Sequence, residues 1–197
     1  MTLPIIILAA GASSRMRGAD KLLEDVDGVP LIRRQVQIAL QVSDDIYVAV
    51  PPKPHLRHQA LDGSNVSRVE VIDAAEGMSA SMRAGFAALK TGTTRAMLLL
   101  GDLPEITAND LRQVIDAMHK NPTKRIWRGA TEDGAPGHPI IFDHALFADI
   151  AMLSGDAGGQ SIIQANRDHV QLVPLPDQRA RMDLDTPEDW TLWRKNR

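Results

Sequence analysis

Three stretches of the chain, residues 3–8, 46–50 and 96–100, are apolar without alternation. A strand covered on both faces reads this way, because neither side meets water. Residues 69–72, 125–129, 138–142 and 170–174 read as four further strands. Between them, apolar residues recur at helical spacing. Leu31, Ile32, Val36, Ile38, Ala39 and Leu40 predict a helix behind Pro30, a residue suited to a first helical turn. Residues 55–61, 78–89, 107–118, 143–152, 158–166 and 187–194 read as the other helices. Thr107 is an N-cap with Asp110 in the first turn, and Thr186 caps a helix whose first position is Pro187. Asp27-Gly28 signals a hairpin turn within residues 22–29, and Pro51, Pro52 and Pro54 end the second strand.

Strand and helix patterns alternate throughout. The expected fold is therefore α/β, three-layer α/β/α, with a mostly parallel, Rossmann-like sheet covered on both faces. No repeat, low-complexity tract or linker divides the chain, so residues 1–197 are expected to form a single domain. The irregular residues 128–139 read as a loop over a site.

Composition narrows the function. A net charge of −3 gives no reason to expect a nucleic-acid surface, and 4% aromatic residues leave few platforms for base stacking. The absence of cysteine removes disulfides, thiolate metal sites and cysteine nucleophiles together. The first apolar run is far too short to span a bilayer, and no basic stretch precedes it as in a signal peptide. The expectation is a cytoplasmic protein without membrane or nucleic-acid partners.

The candidate chemistry begins where the first strand ends. Residues 5–21 read IIILAAGASSRMRGADK. A buried strand running into small residues places backbone N–H groups at the carboxyl edge of a sheet, where open α/β folds bind ligands. Gly11 permits close approach, while Ala10, Ala12, Ser13 and Ser14 stay small. Arg15 offers a planar fork and Lys21 a mobile point charge for phosphate oxygens. The pattern is neither a P-loop nor Gly-x-Gly-x-x-Gly, and it fits either a triphosphate loop or a plain strand-to-helix connection.

Asp102, in Gly101-Asp102-Leu103-Pro104, follows the third apolar run. It fits Mg²⁺ held between a carboxylate and phosphates, or a turn cap before Pro104. Asp183 and Asp185 precede the Thr186 cap on one side of an extended segment, and one of them could complete a metal shell. Gly77 and Ser79 open a helix whose N–H groups suit a ribose, base or phosphate, whereas Met78, Met82 and Phe86 have core spacing. His138, between Gly137 and Pro139, reads more readily as structural than catalytic, and residues 155–159 form a glycine-rich turn. His55 and His58 read as solvated, and Gly-x-Ser-x-Gly is absent.

Taken together, LAAGASSRM with Lys21, EGMSASMRAG, GDLPEI, GHPIIF, GDAGG and DLDTPED resemble the molybdenum cofactor cytidylyltransferase (CTP:molybdopterin cytidylyltransferase) family. These are small-molecule nucleotidyltransferases with a glycosyltransferase-A-like sheet of the nucleotide-diphospho-sugar transferase type. The resemblance implies Mg²⁺-dependent transfer of CMP from CTP to the phosphate of molybdenum-loaded molybdopterin, with release of pyrophosphate. It implies roles for Arg15, Lys21 and Asp102 in catalysis and for Asp102 and Asp185 in holding Mg²⁺. The implied ligand contacts are Leu8, Ala9, Ala10, Gly11, Ser13, Arg15, Lys21 and Gly101, with Gly77 and Ser79 towards the nucleoside. His138, Gly155, Asp156 and Gly158 fall towards the pterin.

Two departures stand out. Arg17 lengthens the loop before Gly18, and Ala9-Ala10-Gly11 replaces the Leu-Ala-Gly-Gly of related guanylyltransferases. The extra methyl group of Ala10 favours CTP over GTP. The alternatives are an enzyme using GTP or another phosphorylated acceptor, and a non-catalytic molybdenum cofactor carrier or chaperone. Either role implies transient contact with a molybdoenzyme or its maturation factor.

Overall fold

A computed structural model describes residues 2–156 and 158–197. The strands are β1 (Ile5–Leu8), β2 (Asp25–Val26), β3 (Val29–Pro30), β4 (Ile46–Val50), β5 (Ser67–Glu70), β6 (Arg95–Leu100), β7 (Ile126–Ala130), β8 (Pro136–Asp143) and β9 (Val170–Pro174). The helices are α1 (Leu31–Leu40), α2 (Leu56–Ala60), α3 (Met78–Ala87), α4 (Ala108–Lys120), α5 (Phe147–Ala151), α6 (Gln160–Ala165) and α7 (Pro187–Lys195).

A 7-stranded sheet runs in the order β5-β4-β1-β6-β8-β7-β9. Only β8 opposes the rest, being antiparallel to both β6 and β7. The apolar runs became the central strands: β1 and β4 are buried along their whole length, and β1 pairs parallel with both β4 and β6. Side chains of β1 alternate between two cores. Ile5 and Ile7 face the layer of α1, α4 and α7, whereas Ile6 and Leu8 face α3, α5 and α6. The three-layer expectation holds for this reason. Asp27 and Gly28 both take positive φ in the separate β2–β3 hairpin, as the Asp-Gly signal requires. The Thr107–Asp110 and Thr186–Asp189 pairs both close as capping boxes.

Two elements depart from the pattern. The third strand lies at Ser67–Glu70 rather than at residues 69–72, and Ile72 is exposed. This edge strand is placed by its register with β4, Tyr47 opposite Ser67, and not by a continuous apolar face. The helix expected over residues 143–152 is divided. The Asp143 carboxylate accepts from Ala145 N and sets a 3₁₀ turn, His144–Leu146, before α5 begins.

Candidate active site

The carboxyl ends of β1 and β6 lie side by side, because Leu8 is in register with Leu100. Gly101 N donates to Leu8 O at 3.0 Å, and a Cβ on Gly101 would come within 2.9 Å of that oxygen. A glycine is therefore needed for the two chain exits to run together. Leu8, Ala9 and Ala10 are buried, and the backbone of Ala9 is already bonded, its N–H to Ala49 O and its carbonyl to Arg57, so these residues set the path of the loop from beneath. Gly11 and Ala12 are exposed.

Beyond them the loop is irregular but anchored. Ser13 adopts the left-handed region at φ 52°, ψ 35°, and a 3₁₀ turn, Ser14–Met16, follows. Met16 is buried and pins the middle of the loop. Arg17 and Gly18 also have positive φ. The Asp20 carboxylate then accepts from Leu22 N and caps a second 3₁₀ turn, Lys21–Leu23.

That turn aims Lys21 at two carboxylates. Its Nζ lies 2.5 Å from Asp102 Oδ2 and 2.6 Å from Asp185 Oδ1, and Arg15 Nη1 lies 2.5 Å from Asp185 Oδ2. Residues from the opening loop, from the turn after β6 and from the segment before α7 thus meet in one ion-pair network. Burial disfavours the Lys21 charge, but Asp102 and Asp185 outweigh it and raise its pKa. Asp185 is also partly desolvated, yet Lys21 and then Arg15 hold its carboxyl below the ordinary range. Burial pushes Asp183 the other way, with Asp102 and Asp185 adding to the rise. Asp183 lines a cavity of about 520 Å³ together with Arg179, Met182 and Trp193. Arg17, the extra loop residue, leaves Lys21 in place and pairs with Glu188 Oε1 at 2.9 Å in the first turn of α7.

Asp102 Oδ1 is buried and has no hydrogen-bond partner. An orphan carboxylate oxygen beside a second carboxylate suits a divalent cation. Among the described residues, no group of three or more His, Asp or Glu side chains is placed to hold a metal. A cation at Asp102 and Asp185 would need its remaining ligands from substrate oxygens and water.

A second cluster forms at the start of α3. Ser79 is fully buried, and its hydroxyl donates to Ser154 O at 3.2 Å. The Asp156 carboxylate accepts from Met78 N at 3.1 Å, and Gly77, at φ 98°, leaves room for it. Gly158 lies against Met78, where a Cβ would meet Sδ at 2.7 Å, and Gly155 takes φ 69°. Ala157, within the same turn, lies outside the described residues. Met82 and Phe86 are core, in line with their spacing, but Met78, expected with them, is exposed at the start of the helix.

His138 opens β8. Continuing the register of Leu98 with Ile140 sets it level with Leu100, and His138 N donates to Ala180 O at 2.8 Å. Burial, with the Arg128 charge nearby, pushes its pKa down to about 3, so the imidazole is neutral at pH 7. The unfolded chain binds this proton more readily than the folded one. His138 should then cost stability as pH falls from 6.5 towards about 3. Guanidinium midpoints for wild type and His138→Asn should diverge across that window, the variant losing less; parallel curves would show that the ring titrates normally.

Two readings of the α2 region need correction. His58 is not solvated: it is buried, with Nε2 2.8 Å from Pro51 O. His55 accepts from Arg57 N and caps α2. Sequence reasoning also passed over Arg57, which is 1% exposed and bonded to the opening loop. The available signal was its position one turn before Leu61, on the buried face of a short helix.

A mostly parallel sheet thus carries a small-residue loop, two cations and two carboxylates at its carboxyl edge. Residues 5–170 match the MobA-like NTP transferase domain. The chain belongs to that family. It is 30% identical over 190 residues to a probable molybdenum cofactor guanylyltransferase of Nostoc sp., covering 95% of this chain and 88% of the relative. Among solved structures, Rv0371c from Mycobacterium tuberculosis H37Rv superposes with a TM-score of 0.82 at 27% identity, covering 99% of both chains. A complex of Rv0371c with manganese gives a TM-score of 0.77 at 26% identity, over 98% of this chain and 97% of the other. No helix among the described residues is long and apolar enough to cross a membrane.

Proposed function

We propose that this protein transfers a nucleoside monophosphate from a nucleoside triphosphate to the phosphate of molybdenum-loaded molybdopterin, releasing pyrophosphate. The carrying observation is Lys21 Nζ set between Asp102 and Asp185 at the end of the small-residue loop. The attacking phosphate oxygen is already anionic, so no strong general base is required. What opposes reaction is repulsion between two polyanions. Lys21 and Arg15 offset it, and the loop N–H groups orient the triphosphate for in-line attack. Asp102 and Asp185 would hold a divalent cation, with Mg²⁺ our choice, which when bound supplies further charge neutralisation at the phosphate oxygens.

An anionic acceptor suits Arg128 as well. This half-buried side chain donates Nε to Gly137 O at 2.9 Å and has no carboxylate partner among the described residues, and Arg181 lies near enough to depress its pKa further. A pure carrier has no use for a metal–triphosphate clamp.

For the nucleotide, we propose CTP. The Ala10 methyl group that distinguishes this loop is buried in the same core as Ala80 and Met82 of α3, so it bears on base choice only through how the loop packs on the helix proposed to face the nucleoside. A second reading, GTP, is carried by the relatives whose names specify guanylyl transfer. Pyrophosphate release with molybdenum-loaded molybdopterin should be at least about tenfold more efficient with CTP than with GTP, within the range one pocket contact supplies. Equal or better efficiency with GTP moves the assignment to guanylyl transfer, and release with neither leaves the carrier.

A further inference from the structure

Arg57 is 1% exposed, 36 residues beyond the last loop cation, and its side-chain bonds all go to residues of the loop. Nε and Nη2 form a fork on Asp20, each at 2.7 Å from a different oxygen. Nη1 donates to Ala9 O at 2.7 Å, and Nη2 also donates to Ser13 Oγ at 3.0 Å. One guanidinium therefore holds the residue that leaves β1, the residue at the bend, and the residue that precedes Lys21. The Asp20 carboxylate in turn caps the short helix carrying Lys21 and accepts from Ser13 Oγ at 3.2 Å.

Stability alone does not account for this arrangement. A buried ion pair is often no more stabilising than apolar side chains of similar volume. Ser13 is a non-glycine residue in the left-handed region, a conformation that persists only where its surroundings over-determine it. Arg57 supplies that determination through the Ser13 hydroxyl. A bend of this kind turns successive N–H groups towards one point, as an anion-binding nest requires.

We infer that Arg57 is a positioning residue: together with Asp20 it sets the curvature of residues 9–21 and so the spacing of their N–H groups and of Lys21 for a polyphosphate chain. The inference rests on reading this loop as the triphosphate loop. Burial keeps Arg57 behind the loop, so its role is exerted through the loop residues. Lysine in its place keeps the charge but not the planar fork, so it cannot hold Asp20 and reach Ala9 O and Ser13 Oγ together.

Isothermal titration calorimetry of the full chain with inorganic tripolyphosphate and Mg²⁺ tests this without any acceptor. In Arg57→Lys the dissociation constant should rise at least about tenfold while the number of sites stays close to that of wild type, because misplaced donors weaken every site. Hydrogen exchange at the amides of Met16 and Leu22, which donate to Ser13 O and Asp20 Oδ1, should accelerate in parallel. Fewer sites with unchanged affinity, or affinity within about twofold of wild type, would overturn the inference. Should Arg57→Lys not fold, Asp20→Asn decides, with the same expectation. If wild type binds neither tripolyphosphate nor CTP, the triphosphate reading of the loop fails instead, a result distinct from binding that is indifferent to Arg57.

Discussion

Asp102→Asn should lower turnover by at least about a hundredfold, the scale of losing one electrostatic group at a reacting centre. The substitution keeps the shape of the side chain and removes its charge. In the native site Oδ2 bonds to Lys21, and Oδ1 is the buried oxygen without a partner. The amide oxygen can still accept from the Lys21 ammonium, but without charge and with an NH₂ at the position of the orphan oxygen, and neither amide atom gives a metal the anionic ligand that Asp102 offers. Folding should be little affected, because Lys21 keeps its second carboxylate partner, Asp185. Pyrophosphate release and the thermal midpoint, measured together, separate the two effects. Turnover within tenfold of wild type would remove Asp102 from the catalytic machinery. Unchanged cofactor delivery in a cell, with turnover abolished, would favour the carrier.

Lys21→Met is expected to be comparably severe, about a hundredfold or more in turnover, for a different reason. Methionine fills much of the volume but leaves Asp102 and Asp185 facing one another without the ammonium between them, and only Arg15 still neutralises Asp185. The triphosphate also loses a cation. A second readout makes this informative. With the competing ammonium removed, the two carboxylates should bind Mn²⁺ more tightly in the absence of nucleotide, which electron paramagnetic resonance measures directly. Lower turnover with unchanged Mn²⁺ affinity would mean that Lys21 and the metal do not share these carboxylates.

Local chemistry made much of the fold readable. The unalternating runs that became β1, β4 and β6, and the Thr107 and Thr186 caps, each depend on neighbours within a few residues. The edge strand β5 was misplaced because its extent is set by pairing with β4, and Ile72 contributes no buried face. At the site, Asp185, just before a helix cap, was visible as a carboxylate without a local explanation, whereas Asp102, just past a strand, read equally as a turn cap. Their partners were not visible. Arg17 meets Glu188, and Arg57 meets Asp20, only after the sheet has brought distant segments together. Nor could the sequence tell which way a small side chain points: the Ser79 hydroxyl turns inward to Ser154 O, and the Ala10 methyl sits in the core.

The ion-pair network around Lys21 also has an order in time. Its partners Asp102 and Asp185 lie 81 and 164 residues further along the chain. At ribosomal speeds of about 5–20 residues per second, Lys21 is made on the order of ten seconds before Asp185. Until then the nascent loop lacks the acid that joins Lys21 to Arg15. This centre is therefore assembled late in biosynthesis, and a chain cut short before Asp185 would carry the loop cations without the carboxylate that joins them.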